Sequence, residues 1–506
     1  MGAPTHEIEL KFGVPAERLD ALRRALARGT VHSERLRAEY FDTEGESLAA
    51  AAISLRLRRE GGRWVQTAKV ATADPARRIE DNAELPAGRR VAMPALDLAR
   101  HAASPAGKAL REALAGAEPA TLVRRFTVDV RRSTRMLRHQ GARIELALDQ
   151  GGVVAGGAEE AVCELELELK TGSEAALYGL ADRWLAAHGL WLAAESKAQR
   201  GTRLARGEPV AAALRARAPQ LDGVDAPEKL VRLVFRACLE QIVANAGALA
   251  AGNGGDEHVH QLRVGVRRLR SALRELGALV TGVDPAWEAA LRAAFGELGA
   301  HRDQAIVLPR WADEIAAAGA PPIAPAGAAP KARTPQAIVR EVPFQRALLG
   351  LAAFCSGPLP PADSAGGDGG DSGGDPRRLL AARLERLHRR IGRDAKKFAT
   401  LSSEDQHRVR KRLKRLRYLS EFAAPLFGRK AVKHYLDAMG DAQDALGTLN
   451  DERIAEAAYR EQALRQPQAW FGAGWLAGRQ PASIETCARA LRRVGRAARF
   501  WSRRLG

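Results

Sequence analysis

Carboxylates spaced two residues apart and followed by an ammonium, all on one strand face, can hold a hard divalent cation through oxygen and grip phosphate oxygens beside it. The stretch THEIELKF near the N-terminus has this form. Glu7, Glu9 and Lys11 share one parity, and Ile8, Leu10 and Phe12 share the other, so a period-two strand lines up charge on one face and apolar side chains on its back. The parity returns downstream. ISLRLRR sets Arg56 and Arg58 against Ile53, Leu55 and Leu57. ARIELALD sets Arg143, Glu145 and Asp149 against Ile144, Leu146 and Leu148, and CELELELK sets Glu164, Glu166, Glu168 and Lys170 against Leu165, Leu167 and Leu169. RIEDNAEL groups Glu80, Asn82 and Glu84 without a clean apolar back.

One such strand is an ordinary solvated sheet face. Five of them, with both signs of charge, predict a closed barrel with a polar interior and an exterior covered by helices. A charged interior must be neutralised from within or by a ligand, because unpaired buried charge is strongly unfavourable. Carboxylates for Mg2+ (or Mn2+), with Arg and Lys for phosphate oxygens, describe a site for a metal-bound chain of phosphates.

The 506-residue chain is long enough for at least two domains, and its charge is unevenly spread. Residues 1–205 carry 31 Lys+Arg and 28 Asp+Glu, leaving 48 and 32 of the chain's 79 and 60 for the remainder. The first part therefore balances its charges internally, while the second has the excess that attracts a polyanion. Strand-like segments fill residues 1–205; 206–225 reads as a linker punctuated by Pro and Gly, and 226–506 is nearly all helical periodicity. Within that part, 321–335 and the Gly/Ser/Asp-rich 357–376 read as loops, the latter separating stretches of similar length at 226–356 and 377–506. No apolar run reaches the ~18–20 residues that span a bilayer, and no basic-then-apolar leader opens the chain. Cys163, Cys238, Cys355 and Cys487 are widely separated, which fits thiols in a reducing cytoplasm. No membrane partner is expected.

The two helical stretches repeat each other. HQLRVGVRRLR from His260 matches HRVRKRLKRLR from His407 at an offset of 147, and ELGAHRD (297–303) echoes ALGTLND (445–451) at 148. His260, Arg263, Arg267, Arg270 and Arg274 lie 3, 4, 3 and 4 apart on one helical stripe, with Leu262, Val266, Leu269, Leu273 and Leu276 as the core-facing stripe. The second copy runs His407, Arg410, Lys414 and Arg417. Like charges at i,i+4 repel, so a twice-repeated basic stripe with few acids reads as a binding face. His258, His301 and His434 are read as ordinary histidines, since no other His/Cys spacing supports a zinc site.

On these residues residues 1–205 resemble the CYTH superfamily, whose members form a triphosphate tunnel. THEIELKF carries its ExExK signature, and YFDTEGESLAAAAISLRLRREGGRWVQTAKV is similar to its second segment. The resemblance implies that Glu7, Glu9, Glu164 and Glu166 hold Mg2+ or Mn2+. Lys11, Arg56, Arg58, Lys69, Arg132 (with Arg131 as its alternative) and Lys197 would bind the phosphates. Asp149, Glu145 or Glu80 would hold a second metal or orient the attacking water. Asn82 stands where the family commonly has the second carboxylate of RxExE. Residues 226–506 resemble the CHAD domain, two pseudo-symmetric helical bundles that bind inorganic polyphosphate. That implies a binding set of His260, Arg263, Arg267, Arg268, Arg270, His407, Arg410, Lys414, Arg415 and Arg417, with Lys414 keeping the charge of Arg267 but losing its fork.

The expected fold is thus an α+β closed antiparallel β-barrel with flanking helices, followed by an all-α domain. The expected function is metal-dependent hydrolysis of inorganic tripolyphosphate to pyrophosphate and phosphate, with long-chain polyphosphate bound by the helical part. The alternatives are a class IV-like adenylate cyclase and a non-catalytic protein of polyphosphate granules. Aromatic residues near the basic stripes are too few to stack bases, so nucleic acid is not an expected partner.

Overall fold

The computed structural model describes residues 6–60, 62–72, 77–85, 93–115, 122–303, 307–323, 333–357 and 375–502. Most of the 357–376 loop and residues 324–332 of the 321–335 loop lie outside them. The chain forms two compact units: Met1–Ala213 with Val243–His258 and Val339–Gly357, and Leu214–Ile242 with Val259–Ile338 and Pro358–Gly506.

In the first unit the strands are β1 (His6–Gly13), β2 (His32–Thr43), β3 (Ile53–Glu60), β4 (Arg63–Ala71), β5 (Arg77–Glu84), β6 (Leu122–His139), β7 (Ala142–Ala155), β8 (Ala158–Thr171) and β9 (Trp191–Leu192). They pair antiparallel in the order β5-β4-β3-β2-β6-β7-β8-β1, and β1 pairs back onto β5, closing an eight-stranded barrel; β9 adds to β1. Register follows from parity and turns. The β6–β7 turn at Gln140–Gly141 and the β7–β8 turn at Gly156–Gly157 take positive φ at both positions (47° and 79°; 58° and 86°), as tight hairpins require. Because directly opposed residues share a face, Arg132, Asp149 and Glu164 are aligned across β6, β7 and β8.

Helices cover the apolar back of the barrel: α1 (Leu19–Leu26), α2 (Ser47–Ala50), α3 (Pro105–Ala113) and α4 (Glu174–His188). Leu48, Leu55, Ala68 and Leu110 pack together under α2 and α3, while Leu146, Leu165 and Leu167 are fully buried on the back of β7 and β8. Each such leucine contributes roughly 1.5–3 kcal/mol on burial. Helix α5 (Lys197–Ala205) lies on the inner parity instead. Its Leu204 packs with Leu36, Ala38, Tyr40, Phe126, Val128, Val130 and Val162, which continue the inward rows of β2, β6 and β8, so α5 fills one end of the barrel. A Cβ at Gly201 would sit 2.1 Å from the Phe126 ring, which is stacked on Tyr40 at 4.5 Å. Gly201→Ala is therefore expected to overpack this end and destabilise the barrel by about 1–3 kcal/mol, read as a lower Tm. An unchanged Tm would place α5 elsewhere.

The remaining helices are α6 (Pro227–Ala251), α7 (Asp256–Leu276), α8 (Pro285–Arg302), α9 (Leu308–Ala317), α10 (Pro335–Val339), α11 (Val342–Ser356), α12 (Pro376–Lys397), α13 (Ser403–Ala423), α14 (Arg429–Ala463) and α15 (Ala469–Arg496). Side-chain caps start several of them: Asp284 accepts from Ala286 N at 2.8 Å, and Ser402 accepts from Asp405 N at 3.1 Å. The sequence repeat is structural, since α7 and α13 are each 21 residues long and start at the 147-residue offset. Helix α11 packs within the first unit, where Gln345 accepts from Leu192 N at 3.0 Å and Arg346 pairs with Asp182 at 2.7 and 2.5 Å. Helix α6 is long and apolar enough, by length and composition only, to cross a membrane, because its charges all lie between Glu228 and Glu240 and leave an apolar stretch behind them; just over half of its most apolar part is buried in protein. The four cysteines are free thiols, with Cys238, Cys355 and Cys487 buried.

Candidate functional site

Inside the barrel, the inward charges sort into two groups of carboxylates, each gathered on a lysine. In the first, Lys69 Nζ on β4 lies 2.5 Å from Glu7 Oε2, 2.8 Å from Glu80 Oε2 and 3.9 Å from Glu9 Oε2. Arg56 reaches Glu80 at 3.8 Å and donates to the Tyr40 hydroxyl at 3.2 Å, while Arg78 reaches Glu9 at 3.5 Å. In the second, Lys197 Nζ at the start of α5 lies 2.6 Å from Asp149 Oδ2 and 2.8 Å from Glu166 Oε1, and also contacts Glu164 Oε1. Arg132 forks onto Asp149 at 2.7 and 2.6 Å and also donates to Glu166; Arg200 donates to Glu164 at 3.2 Å. Lys11 Nζ stands between the groups, 3.6 Å from Glu166, 3.8 Å from Glu164 and 3.9 Å from Glu9.

This packing of charge in a dry setting shifts protonation. Burial, together with the Glu80 and Glu9 charges, pushes Glu7 up to about 7 against the pull of Lys69. Burial would also raise Glu80, but Lys69 and Arg56 outweigh it and hold that carboxyl well below the usual range. Glu166 behaves similarly: Lys197, Arg132 and Lys11 overcome its burial and keep it ionised. Burial alone would lower Lys197, yet Glu164, Glu166 and Asp149 hold its ammonium above the ordinary lysine range.

The sequence-derived residues therefore line one tunnel, but not in the expected sets. Asp149 joins Glu164 and Glu166, whereas Glu7 and Glu9 join Glu80. Cross-strand register decides this: Asp149 lies directly opposite Glu164, while β1 meets β5 through Glu7. Glu145 joins neither group. It pairs with Lys170 at 3.5 Å, four residues from Asp149 along β7 and so roughly 13 Å away at 3.3 Å per residue. Arg132 rather than Arg131 faces the tunnel, and Arg131 is exposed. Arg58 is taken up by Glu60, two positions along the same face. Asn82, in place of a carboxylate, accepts from Thr67 and donates to Glu80 at 3.0 Å, and thereby orients it. Arg78 and Arg200 were missed by sequence reasoning, although Arg78 shares the parity of Glu80 and Arg200 lies one turn from Lys197 in ESKAQRG.

A divalent cation fits the second group. The ligand oxygens of Asp149, Glu164 and Glu166 all lie within 4.8 Å of one another and converge on one cationic atom, Lys197 Nζ. Hard carboxylate oxygens suit Mg2+ or Mn2+.

In the helical unit a basic cluster gathers from α7, α8, α13 and α14. Arg263, Arg267 and Arg270 surround the Phe295 ring at 4.5, 5.3 and 5.7 Å, and Arg263 donates to Phe295 O at 3.0 Å. Arg302 lies 3.7 Å from both Asp303 and Asp451, the acids of the two ELGAHRD-like segments. Arg410 Nε is buried without a hydrogen-bond partner among the described residues. Burial, with Arg267, pushes Arg263 and Arg410 each down to about 10; burial with Arg267, Arg410 and Arg302 pushes Lys414 down to about 6.

Several of the expected binding residues are used otherwise. Arg268 is 1% exposed and donates to Gln241 at 3.1 Å and to Arg217 O at 3.0 Å. Arg415 pairs with Glu275 at 3.1 Å. Each is one residue past a cluster member, about 100° around the helix, which aims it away from the shared face. Arg270 is held by Glu288 at 3.0 and 2.8 Å, and Arg417 by Glu421 at 2.8 Å and by Gln443. His260 is exposed, and burial together with Lys411, Arg410 and Lys414 keeps the half-buried His407 below the usual histidine range. Arg302, Asp303 and Asp451 were missed as site residues, although the repeated segment contains them.

A closed barrel lined by paired carboxylates and cations, joined to a helical unit with a basic cluster, defines the class of two-part chain to which comparison gives names. The family model for the CYTH domain matches residues 5–202 and that for the CHAD domain matches residues 233–460, so the chain carries a CYTH domain followed by a CHAD domain. An inorganic triphosphatase from Haemophilus influenzae is 33% identical over 76 residues, which is 15% of this chain and 22% of that protein; the match thus spans about a fifth of that relative's length. Among solved structures, the CHAD domain from the plant Ricinus communis is 28% identical, covering 57% of this chain and 98% of that one with a TM-score of 0.45. A Hippeastrum protein described as a candidate adenylyl cyclase with a dominant triphosphatase activity is 18% identical, covering 39% of this chain and 95% of that one with a TM-score of 0.28.

Proposed function

We propose that the chain is a metal-dependent inorganic triphosphatase that cleaves tripolyphosphate to pyrophosphate and phosphate, and that its helical unit binds long-chain polyphosphate. The observation that carries this reading is the tunnel itself, where carboxylates that fit a hard cation lie among Lys11, Arg56, Lys69 and Arg132 on the inner rows of one closed barrel and meet Lys197 and Arg200 from α5. Asp149, Glu164 and Glu166 would hold the cation. When bound, a cation supplies charge neutralisation at phosphate oxygens and orients an in-line displacement. The chain's own cations bind the remaining oxygens and align the phosphates along the barrel axis, and α5 closes one end against bulk water. Protein stripped of metal by a chelator should release no phosphate from tripolyphosphate, and Mg2+ or Mn2+ should restore release. Undiminished release after stripping would contradict the reading.

The helical cluster makes a further prediction with a definite sign. Lys414 titrates near 6 when folded, against ~10.5 in an unfolded chain, because burial and Arg267, Arg410 and Arg302 oppose its charge while Asp451 partly relieves it. A bound polyanion favours the ammonium and raises its pKa, so binding takes up a proton from about pH 6 up to the value reached in the bound state. Polyphosphate affinity should fall as pH rises through this window, by at most about tenfold per unit, and level off below it. The free protein should gain stability as pH rises from about 6 to ~10.5, since there the unfolded chain holds a proton the folded one lacks. Titrations between pH 5.5 and 9 should show this slope in wild type and a flatter one in Lys414→Arg. Equal slopes would remove Lys414 from the site.

A further inference from the structure

Lys197 occupies the point on which the second carboxylate group converges. Its Nζ contacts all three carboxylates, at 2.6 Å from Asp149, 2.8 Å from Glu166 and in direct contact with Glu164. The backbone carrying it is fixed. Ser196 caps α5 in a reciprocal capping box with Gln199, and Gly201 and Leu204 seat the helix against Phe126 and its neighbours. The side chain is the adjustable part, with four methylenes between that anchor and the ammonium. The three carboxylates are already compensated, by Arg132 on Asp149 and Glu166, by Arg200 on Glu164, and by Lys11 near Glu164 and Glu166. A dication seated at ~2.0–2.2 Å from these oxygens would coincide with the ammonium, so the two cations exclude each other.

Resting on the triphosphatase reading above, we propose that Lys197 is a built-in competitor of the divalent cation: the ammonium holds the three carboxylates until the metal arrives, and then transfers to an oxygen of the phosphate chain. The metal alone binds weakly because it must displace Lys197 into a tunnel offering no other anion in excess. A phosphate chain supplies that anion, so the metal and the chain bind with positive coupling, and the coupling is reciprocal. Lys197 thus acts as a positioning residue for the metal as well as a phosphate ligand, and keeps the tunnel from loading metal in the absence of substrate.

The test is Mn2+ binding to the full-length protein without substrate, read by calorimetry and by the electron paramagnetic resonance of free Mn2+, which requires no turnover. Lys197→Met should bind Mn2+ at least about tenfold more tightly than wild type, whereas Lys197→Arg, which retains a cation, should remain weak. If the methionine variant does not fold, Lys197→Gln gives the same comparison with a neutral donor kept in place. Equal or weaker Mn2+ binding by the neutral variants overturns the competition and makes Lys197 a support of the metal site. That outcome, with wild type still hydrolysing tripolyphosphate in a metal-dependent way, leaves the triphosphatase reading standing. Absence of Mn2+ binding in every variant, with or without an imido-bridged triphosphate, overturns both.

Discussion

Glu166→Gln is expected to lower tripolyphosphate turnover by on the order of 10³-fold, the upper range for losing one preorganised electrostatic contact. The side chain is isosteric, so the effect is one of charge. Glu166 offers an oxygen to the point on which Asp149 and Glu164 also converge, and it faces three cations: Lys11 at 3.6 Å, Lys197 at 2.8 Å and Arg132. Removing its charge weakens the hold on a dication and leaves those cations partly uncompensated, so Tm should fall while unfolding stays cooperative. Raising Mg2+ should recover part of the loss. Glu7→Gln should lose less, because burial with Glu80 and Glu9 already pushes Glu7 up to about 7, and glutamine imitates its protonated form. Wild-type turnover by Glu166→Gln at limiting Mg2+ would remove Glu166 from the metal site.

The double variant Arg267→Glu, Arg410→Glu should abolish polyphosphate binding, a loss of at least about 10³-fold at moderate salt, while tripolyphosphate hydrolysis persists. These two arginines come from equivalent helices of the two repeats and act on each other and on Lys414. Reversing both turns a cluster of repelling cations into one neutralised by its own acids. Binding by wild type should weaken steeply with salt as counterions are released, with the slope known for DNA as an analogy. Filter binding or calorimetry with long-chain polyphosphate measures both effects. Retained affinity would contradict the assignment of this face, and equal competition by duplex DNA would make it a general polyanion surface.

The barrel was legible because period-two charge was written so plainly. Glu7, Glu9 and Lys11, or Glu164 and Glu166, can line only one face of a strand, and their leucine backs require helical cover. Closure followed from five such strands carrying both signs of charge, but partnership was not legible, since it depends on register. Nothing local in RIEDN says that Glu80 will meet Glu7 at Lys69, or in RIELALDQG that Asp149 and not Glu145 will meet Glu164. The basic stripe was visible for a similar reason and incomplete for a similar one. Helical spacing identified Arg263, Arg267, Arg410 and Lys414, but the motif match also swept in Arg268 and Arg415, which point 100° away. The acids and Arg302 that complete the cluster sit on other helices, and only the repeated ELGAHRD and ALGTLND segments hinted at them.

Action on a bare chain of phosphates is tested by initial phosphate release from tripolyphosphate, ATP, pyrophosphate and long-chain polyphosphate, each with Mg2+ and with Mn2+. The inner rows are filled by charged side chains and one end by α5, which leaves the tunnel suited to phosphates and poor in apolar surface for a base. Tripolyphosphate should be cleaved at least about tenfold faster than any of the others, yielding one phosphate and one pyrophosphate per turnover. Comparable turnover of ATP to cyclic AMP and pyrophosphate, or no phosphate release from tripolyphosphate with either metal, would contradict the account.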